Sequence, residues 1–192
     1  MQATPRPAPA GGRLAPKVLL EGCPGAGKST VAQRLAELLQ QQGAAVAGFV
    51  TAELREGGRR VGFAVDSFDG GHATLAHVSL PGPPRVGRYG VDLDAFERVA
   101  LPALDDARRA DVVVLDELGK MELASNQFCE AVLELFDANV PVAATVHIFR
   151  HPFTDALKAR PEVERRRVTQ KTRDSLPAEF ARSLLAARTS SS

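Results

Sequence analysis

The residues best suited to chemistry lie near the start of the chain. Gly22-Cys23-Pro24-Gly25-Ala26-Gly27-Lys28-Ser29 matches the pattern G-x-x-x-x-G-K-[ST], and Thr30 follows it. Glycines at this spacing let the backbone curl until successive N–H groups point inward, a shape that cradles phosphate oxygens. Lys28 then reaches β- and γ-phosphates, and the Ser29 hydroxyl is a ligand for Mg2+. A helix opening here adds its N-terminal dipole to the anion site. The next signal is VVVLDE at 112–117. An apolar strand ending in an acid suits a carboxylate that holds Mg2+ through its waters, here Asp116. Glu117, one step beyond, is placed to orient or deprotonate an attacking water.

Weaker signals follow. VAATVH at 142–147 ends a further strand, where the Thr145 hydroxyl would sense a γ-phosphate or position water there, unless it serves only the β-propensity of the strand. His147 and His151 are four apart, but Pro152 follows and no third ligand is evident, so a solvated or substrate-side pair is favoured over a metal site. Arginine greatly outnumbers lysine, so scattered arginines carry little information. Arg55, Arg59, Arg60, Arg88, Arg150 and Arg173 fall in expected loops or strand ends, within reach of a nucleotide. Cys23 reads as a small filler within the loop.

The elements that must position these groups alternate. An apolar run at 18–20 precedes the glycine loop. A helix at 29–42 carries Val31, Leu35, Leu38 and Leu39 at helical spacing. Strands are expected at 46–51, 61–65 and 73–78, the first two joined by a turn around Gly57-Gly58, then a loop at 81–90 rich in Pro and Gly. A helix at 93–107 contains Pro102, which should kink or divide it. A strand at 111–115, a helix capped by Ser125, a strand at 140–146, a short helix within 147–160, a strand at 163–169 and a helix at 176–188 complete the series. Strands alternating with helices argue for a three-layer α/β/α domain with a mostly parallel sheet and an antiparallel hairpin at one edge. Residues 1–16 read as a disordered leader, 17–188 as one domain and 189–192 as a disordered tail.

The chain's 192 residues suffice for one well-buried core. With 24 basic and 23 acidic residues the net charge is +1, which disfavours nucleic acid held by bulk electrostatics. One Tyr and no Trp offer little for stacking bases. Two cysteines make no disulfide framework, and no apolar run approaches a membrane span. The expectation is a cytoplasmic monomer, with the basic, acid-free leader leaving an organellar destination open.

Several stretches together carry a resemblance: GCPGAGKST, GFVTAELREGGRRVGFAV, GRYGVDL, DELGKMELAS, ATVH with HPF, and TRDSL. The series resembles the THEP1-type nucleoside-triphosphatases, which include the cancer-related nucleoside-triphosphatase of animals. The resemblance implies a P-loop NTPase fold and Mg2+-dependent hydrolysis of ATP, GTP, CTP, UTP and other NTPs to NDP and phosphate, with broad base tolerance and slow turnover. It places Gly22, Gly25, Gly27, Lys28, Ser29 and Thr30 on phosphates and metal, with Cys23, Pro24 and Ala26 completing the loop. Asp116 joins Ser29 at the metal, and Glu117 takes the water. Arg173 becomes the first choice for an arginine acting in cis. Cys23 stands where the family usually has Pro or another small residue, and Thr172 where it more often has Asn.

Two rival readings use the same residues. A small P-loop kinase acting on a nucleotide, a nucleoside or a polynucleotide end would need an acceptor pocket, for which the 79–92 loop is the candidate. A GTP switch is suggested by D-x-x-G at Asp116 to Gly119, but no [NT]-K-x-D follows to read guanine.

Overall fold

The computed structural model describes residues 15–189. The order is β1 (Lys17–Gly22), α1 (Lys28–Gln41), β2 (Val46–Glu56), β3 (Arg59–Ser67), β4 (His72–His77), β5 (Arg85–Val86), β6 (Tyr89–Val91), α2 (Leu93–Asp105), β7 (Val112–Leu118), α3 (Asn126–Asp137), β8 (Val142–His147), α4 (Pro152–Lys158), β9 (Val163–Arg167) and α5 (Leu176–Thr189). One nine-stranded sheet runs β5-β6-β4-β3-β2-β7-β8-β1-β9. The five strands β2, β7, β8, β1 and β9 are parallel, and β3, β4, β6 and β5 extend the sheet in antiparallel fashion.

Both faces of the parallel body are covered, and the strand sequences show why. Val18 and Leu20 face one core with Val112 and Val114, while Leu19, Val113 and Leu115 face the other. With side chains alternating across a strand, only an unbroken apolar run can bury both faces. On the first face α1 contributes Val31, Leu35 and Leu39, and α5 contributes Phe180 and Leu184. On the second, α2 and α3 bring Phe96 and Phe128 against Phe49, with ring centroids 5.0 to 5.7 Å apart. Gly48 sets the depth of β2. Its φ is +102°, and a Cβ there would lie 2.1 Å from the Val114 carbonyl oxygen, so only glycine lets β2 approach β7 so closely.

The antiparallel part is larger than the edge hairpin expected. The segment at 81–90 is loop by composition, yet it supplies β5 and the start of β6, pairs too short to register as a periodic pattern. Pro102 does not divide α2. It lies in the last turn, and the chain passes straight into a 3-10 turn at Asp106–Arg108. Engagement begins before Lys17: Ala15 N–H donates to Asn139 and the Pro16 carbonyl accepts from Val142 N–H. The expected leader up to residue 14 and tail residues 190–192 lie outside the described residues. Among those described, no helix is long and apolar enough to cross a membrane.

Lys17 ties β1 to the end of α3. Its buried ammonium donates to the carbonyls of Leu135, Ala138 and Val140 at 3.0, 2.7 and 2.6 Å, satisfying oxygens that a helix C-terminus leaves open. Burial pushes its pKa down from 10.5 to about 8, against the pull of Asp137. Lys17→Met strands those acceptors and is expected to cost about 2 kcal/mol in urea denaturation at neutral pH. The unfolded chain holds this proton more tightly than the folded one. Stability contributed by Lys17 therefore rises between about pH 8 and 10.5. Comparison of native and Lys17→Met unfolding across that window should show the slope vanish in the variant.

Candidate active site at the carboxyl ends of the parallel strands

β1 ends at Gly22 and opens directly into the glycine loop, which leads to α1. Ala26 N–H closes the loop on the Cys23 carbonyl at 3.1 Å, and Val31 N–H bonds back to Gly27. Gly27 caps α1 with φ +96°, a left-handed conformation that a side chain would strain. Cys23, Pro24, Gly25, Ser29 and Thr30 are exposed, whereas Lys28 is buried, 5% accessible. A loop that offers its backbone to solvent and buries its one cation from below is shaped for an anion.

The acids arrive from β7. β8 lies between β1 and β7, so the ends of all three strands converge. Lys28 Nζ lies 3.3 Å from Glu117 Oε2, and His147 Nε2 lies 2.5 Å from Glu117 Oε1. Burial alone would raise the Glu117 carboxyl, but the His147 hydrogen bond and the Lys28 charge outweigh it and hold it below the usual range. Asp116 is wholly buried. Thr145 donates to its Oδ1 at 2.6 Å and Thr51 to its Oδ2 at 3.0 Å, and the Ser29 hydroxyl lies near enough to favour its ionised form. Desolvation nevertheless raises its pKa, with the Glu117 charge pushing the same way. Such a carboxylate is poised to gain from a cation.

The structure brings Gly22 to Thr30, Asp116, Glu117 and Arg173 into one place. Arg173 reaches it from the turn after β9. Thr169 and Thr172 hydrogen-bond reciprocally there, backbone N–H to side-chain hydroxyl, at 3.0 and 3.3 Å. The Arg173 side chain then packs on the loop, its Cδ 3.1 Å from where a Gly27 Cβ would stand. Other arginines in the expected set are taken up elsewhere: Arg55 and Arg60 by Glu53, Arg88 by the Arg60 carbonyl and Tyr89, Arg150 by Asp155. Thr145 proves to be committed to Asp116 rather than open toward a γ-phosphate. The two histidines are used differently: His147 holds Glu117, whereas His151 occupies the N-cap position of α4 with no capping bond from its side chain.

Two participants escaped the sequence reading. Thr51 closes the second oxygen of Asp116, and its only signal was its place at the end of an apolar run in β2. Glu122, in the 3-10 turn Glu122–Ala124, is 5% accessible, and Gly119 sits between its carboxyl and that of Glu117, each 2.9 Å from where a Cβ would be. Burial, then the charges of Glu117 and Asp116, push Glu122 up to about 8. Its ionised form, a second negative charge beside Glu117, is thereby disfavoured.

Comparison with known proteins decides what this arrangement belongs to. The family described as NTPase matches residues 17–181. The nucleoside-triphosphatase THEP1 of Methanopyrus kandleri is 46% identical over 162 residues, covering 83% of this chain and 89% of that relative. The chain belongs to the THEP1 nucleoside-triphosphatase family. It is thus a nucleoside-triphosphate hydrolase. The crystal structure of THEP1 from the hyperthermophile Aquifex aeolicus superposes with a TM-score of 0.80 at 32% identity, over 88% of this chain and 98% of that one. The solution structure of a human cancer-related nucleoside triphosphatase gives 0.77 at 36% identity, over 90% and 98%. Most of the chain is therefore body shared with both solved structures.

Proposed function

We propose that the chain is a Mg2+-dependent P-loop nucleoside-triphosphatase that converts ATP, GTP, CTP and UTP alike to the diphosphate and phosphate. The observation that carries this reading is the 3.3 Å approach of Lys28 to Glu117 at the mouth of the glycine loop. It joins the group that binds phosphate to the group that handles water. Lys28 and the loop amides hold the β- and γ-phosphates, and Glu117 accepts a proton from water as the water oxygen attacks the γ-phosphorus. The bond from that phosphorus to the bridging oxygen breaks, and the diphosphate leaves. Arg173, lying on Gly27, offsets charge developing on the transferred group.

Ser29 and Asp116 would hold Mg2+, and their chemistry fits it. Both present hard oxygens, and Asp116 is a desolvated carboxylate. Among the described residues no group of three or more His, Cys, Asp or Glu side chains could hold a metal unaided, a donor set that leaves room for substrate oxygens and water. When bound, Mg2+ neutralises charge on the β- and γ-phosphate oxygens. Base tolerance is supported by the same inventory, because the assembled side chains address phosphate, metal and water.

The test is phosphate release from each common NTP, with and without Mg2+ and a panel of nucleoside and nucleotide acceptors. Comparable kcat/KM across bases, loss in EDTA and indifference to acceptors are expected. A rate that rises with a particular nucleoside would instead mark a kinase, and a preference of about a hundredfold for one NTP, some 2.7 kcal/mol, would reveal a base reader.

A further inference from the structure

His147 is the last rung of the β1–β8 ladder, where it stands level with Gly22, the first residue of the glycine loop. Its backbone carbonyl accepts from Lys158 Nζ at 2.9 Å. Its ring stacks on Phe149, with centroids 6.0 Å and planes 29° apart. The two ring nitrogens are used unequally. Nε2 lies 2.5 Å from Glu117 Oε1, whereas Nδ1 is buried without a hydrogen-bond partner among the described residues. An ionised carboxylate only accepts, so the shared proton sits on Nε2. The two oxygens of Glu117 are thereby divided, Oε1 to His147 and Oε2 to Lys28.

That division has a consequence when a triphosphate enters. Its β- and γ-phosphates attract the Lys28 ammonium, and the contact with Oε2 is given up. Glu117 would then keep a single anchor. We propose that His147 is a positioning residue for Glu117: its Nε2–H keeps Oε1 fixed while Oε2, released by Lys28, turns to the attacking water. This role presupposes Glu117 acting as the base that takes the water's proton. A carboxylate free to rotate about its last bond would often aim neither oxygen at the water, and misplacement by 1 Å can cost about a hundredfold in rate. A donor fixed by a strand rung and a stacked ring removes that freedom.

Two amides separate this role from a merely structural one. In His147→Gln the amide extends as far as Nε2 and can still donate to Oε1. In His147→Asn it ends near the place of Nδ1 and cannot. Both are polar and compact, and thermal melting checks that each variant folds. His147→Asn is expected to lower kcat about 10- to 100-fold with KM little changed, and His147→Gln to recover most of that loss. In a Glu117→Gln background, His147→Asn should alter kcat by less than about twofold, since the group it positions has lost its function. Equal losses with Asn and Gln, or full additivity with Glu117→Gln, would overturn the role. So would native kcat in His147→Asn beside a slow Glu117→Gln, which leaves the reading of Glu117 intact. A Glu117→Gln enzyme of native rate would sink that reading, and the role of His147 with it.

Discussion

Replacing Lys28 by alanine is expected to remove nucleotide binding and turnover together. Lys28 is the one charged side chain of the glycine loop, and it is buried beneath it. A charge-assisted hydrogen bond is worth about 1.5–3 kcal/mol, or about 10- to 150-fold in affinity. Loss of a cation aimed at transition-state charge costs a further ~10²–10³ in rate. The two together put kcat/KM down by at least about 10³. The structure adds a second route to failure. Glu117 loses the cation that helps keep its carboxyl below the usual range, while its burial persists, so its pKa should climb. Nucleotide titration by fluorescence or calorimetry, alongside phosphate release, checks both effects. A variant that binds and turns over at near-native values would remove the phosphate-loop reading.

The parts of this site that were legible in the sequence are those built from consecutive residues. The glycine loop, the strand before it and the helix after it are one continuous signal, because a phosphate cradle is made of backbone and its spacing is local. Asp116 and Glu117 were legible because a buried parallel strand must be apolar until it reaches the sheet edge, where its first acids stand out. Parallel body and helical cover followed from the alternation of elements. What the sequence withheld was made by register. His147 meets Glu117 because β8 inserts between β1 and β7, and no local pattern reports strand order. Thr145 looked free at a strand end, and only tertiary placement gives its hydroxyl to Asp116. Glu122 looks like one more surface acid in a charged stretch, and its burial comes from the 3-10 turn folding back on Gly119. The short strands β5 and β6 hid in a Pro- and Gly-rich segment because two or three residues carry no period.

Glu117→Gln is expected to separate binding from chemistry. The amide keeps the shape of the carboxylate and can still hydrogen-bond, but it cannot take a proton from water. Lys28, Asp116 and the loop amides remain, so nucleotide affinity should stay close to native. A general base contributes about 10²–10⁴ in rate, and kcat should fall by that factor. KM should hold or drop, which marks an interaction made mainly in the transition state. The surroundings sharpen the expectation. His147 and Lys28 favour the ionised form of Glu117, whereas burial disfavours that of the adjacent Glu122, so of the two neighbours Glu117 is the one held ready to accept. If Glu117 were a metal ligand instead, apparent Mg2+ affinity would collapse with the rate, so Mg2+ dependence belongs in the same experiment. If it were only a solvated strand end, the change would be nearly silent. Retention of kcat within about threefold of native, where a base predicts at least a hundredfold loss, would end the assignment. Arg173→Ala measured alongside completes the partition. A side chain that touches the loop only to cover it would leave kcat almost unchanged, whereas one that meets transition-state charge would cost about 10³ or more.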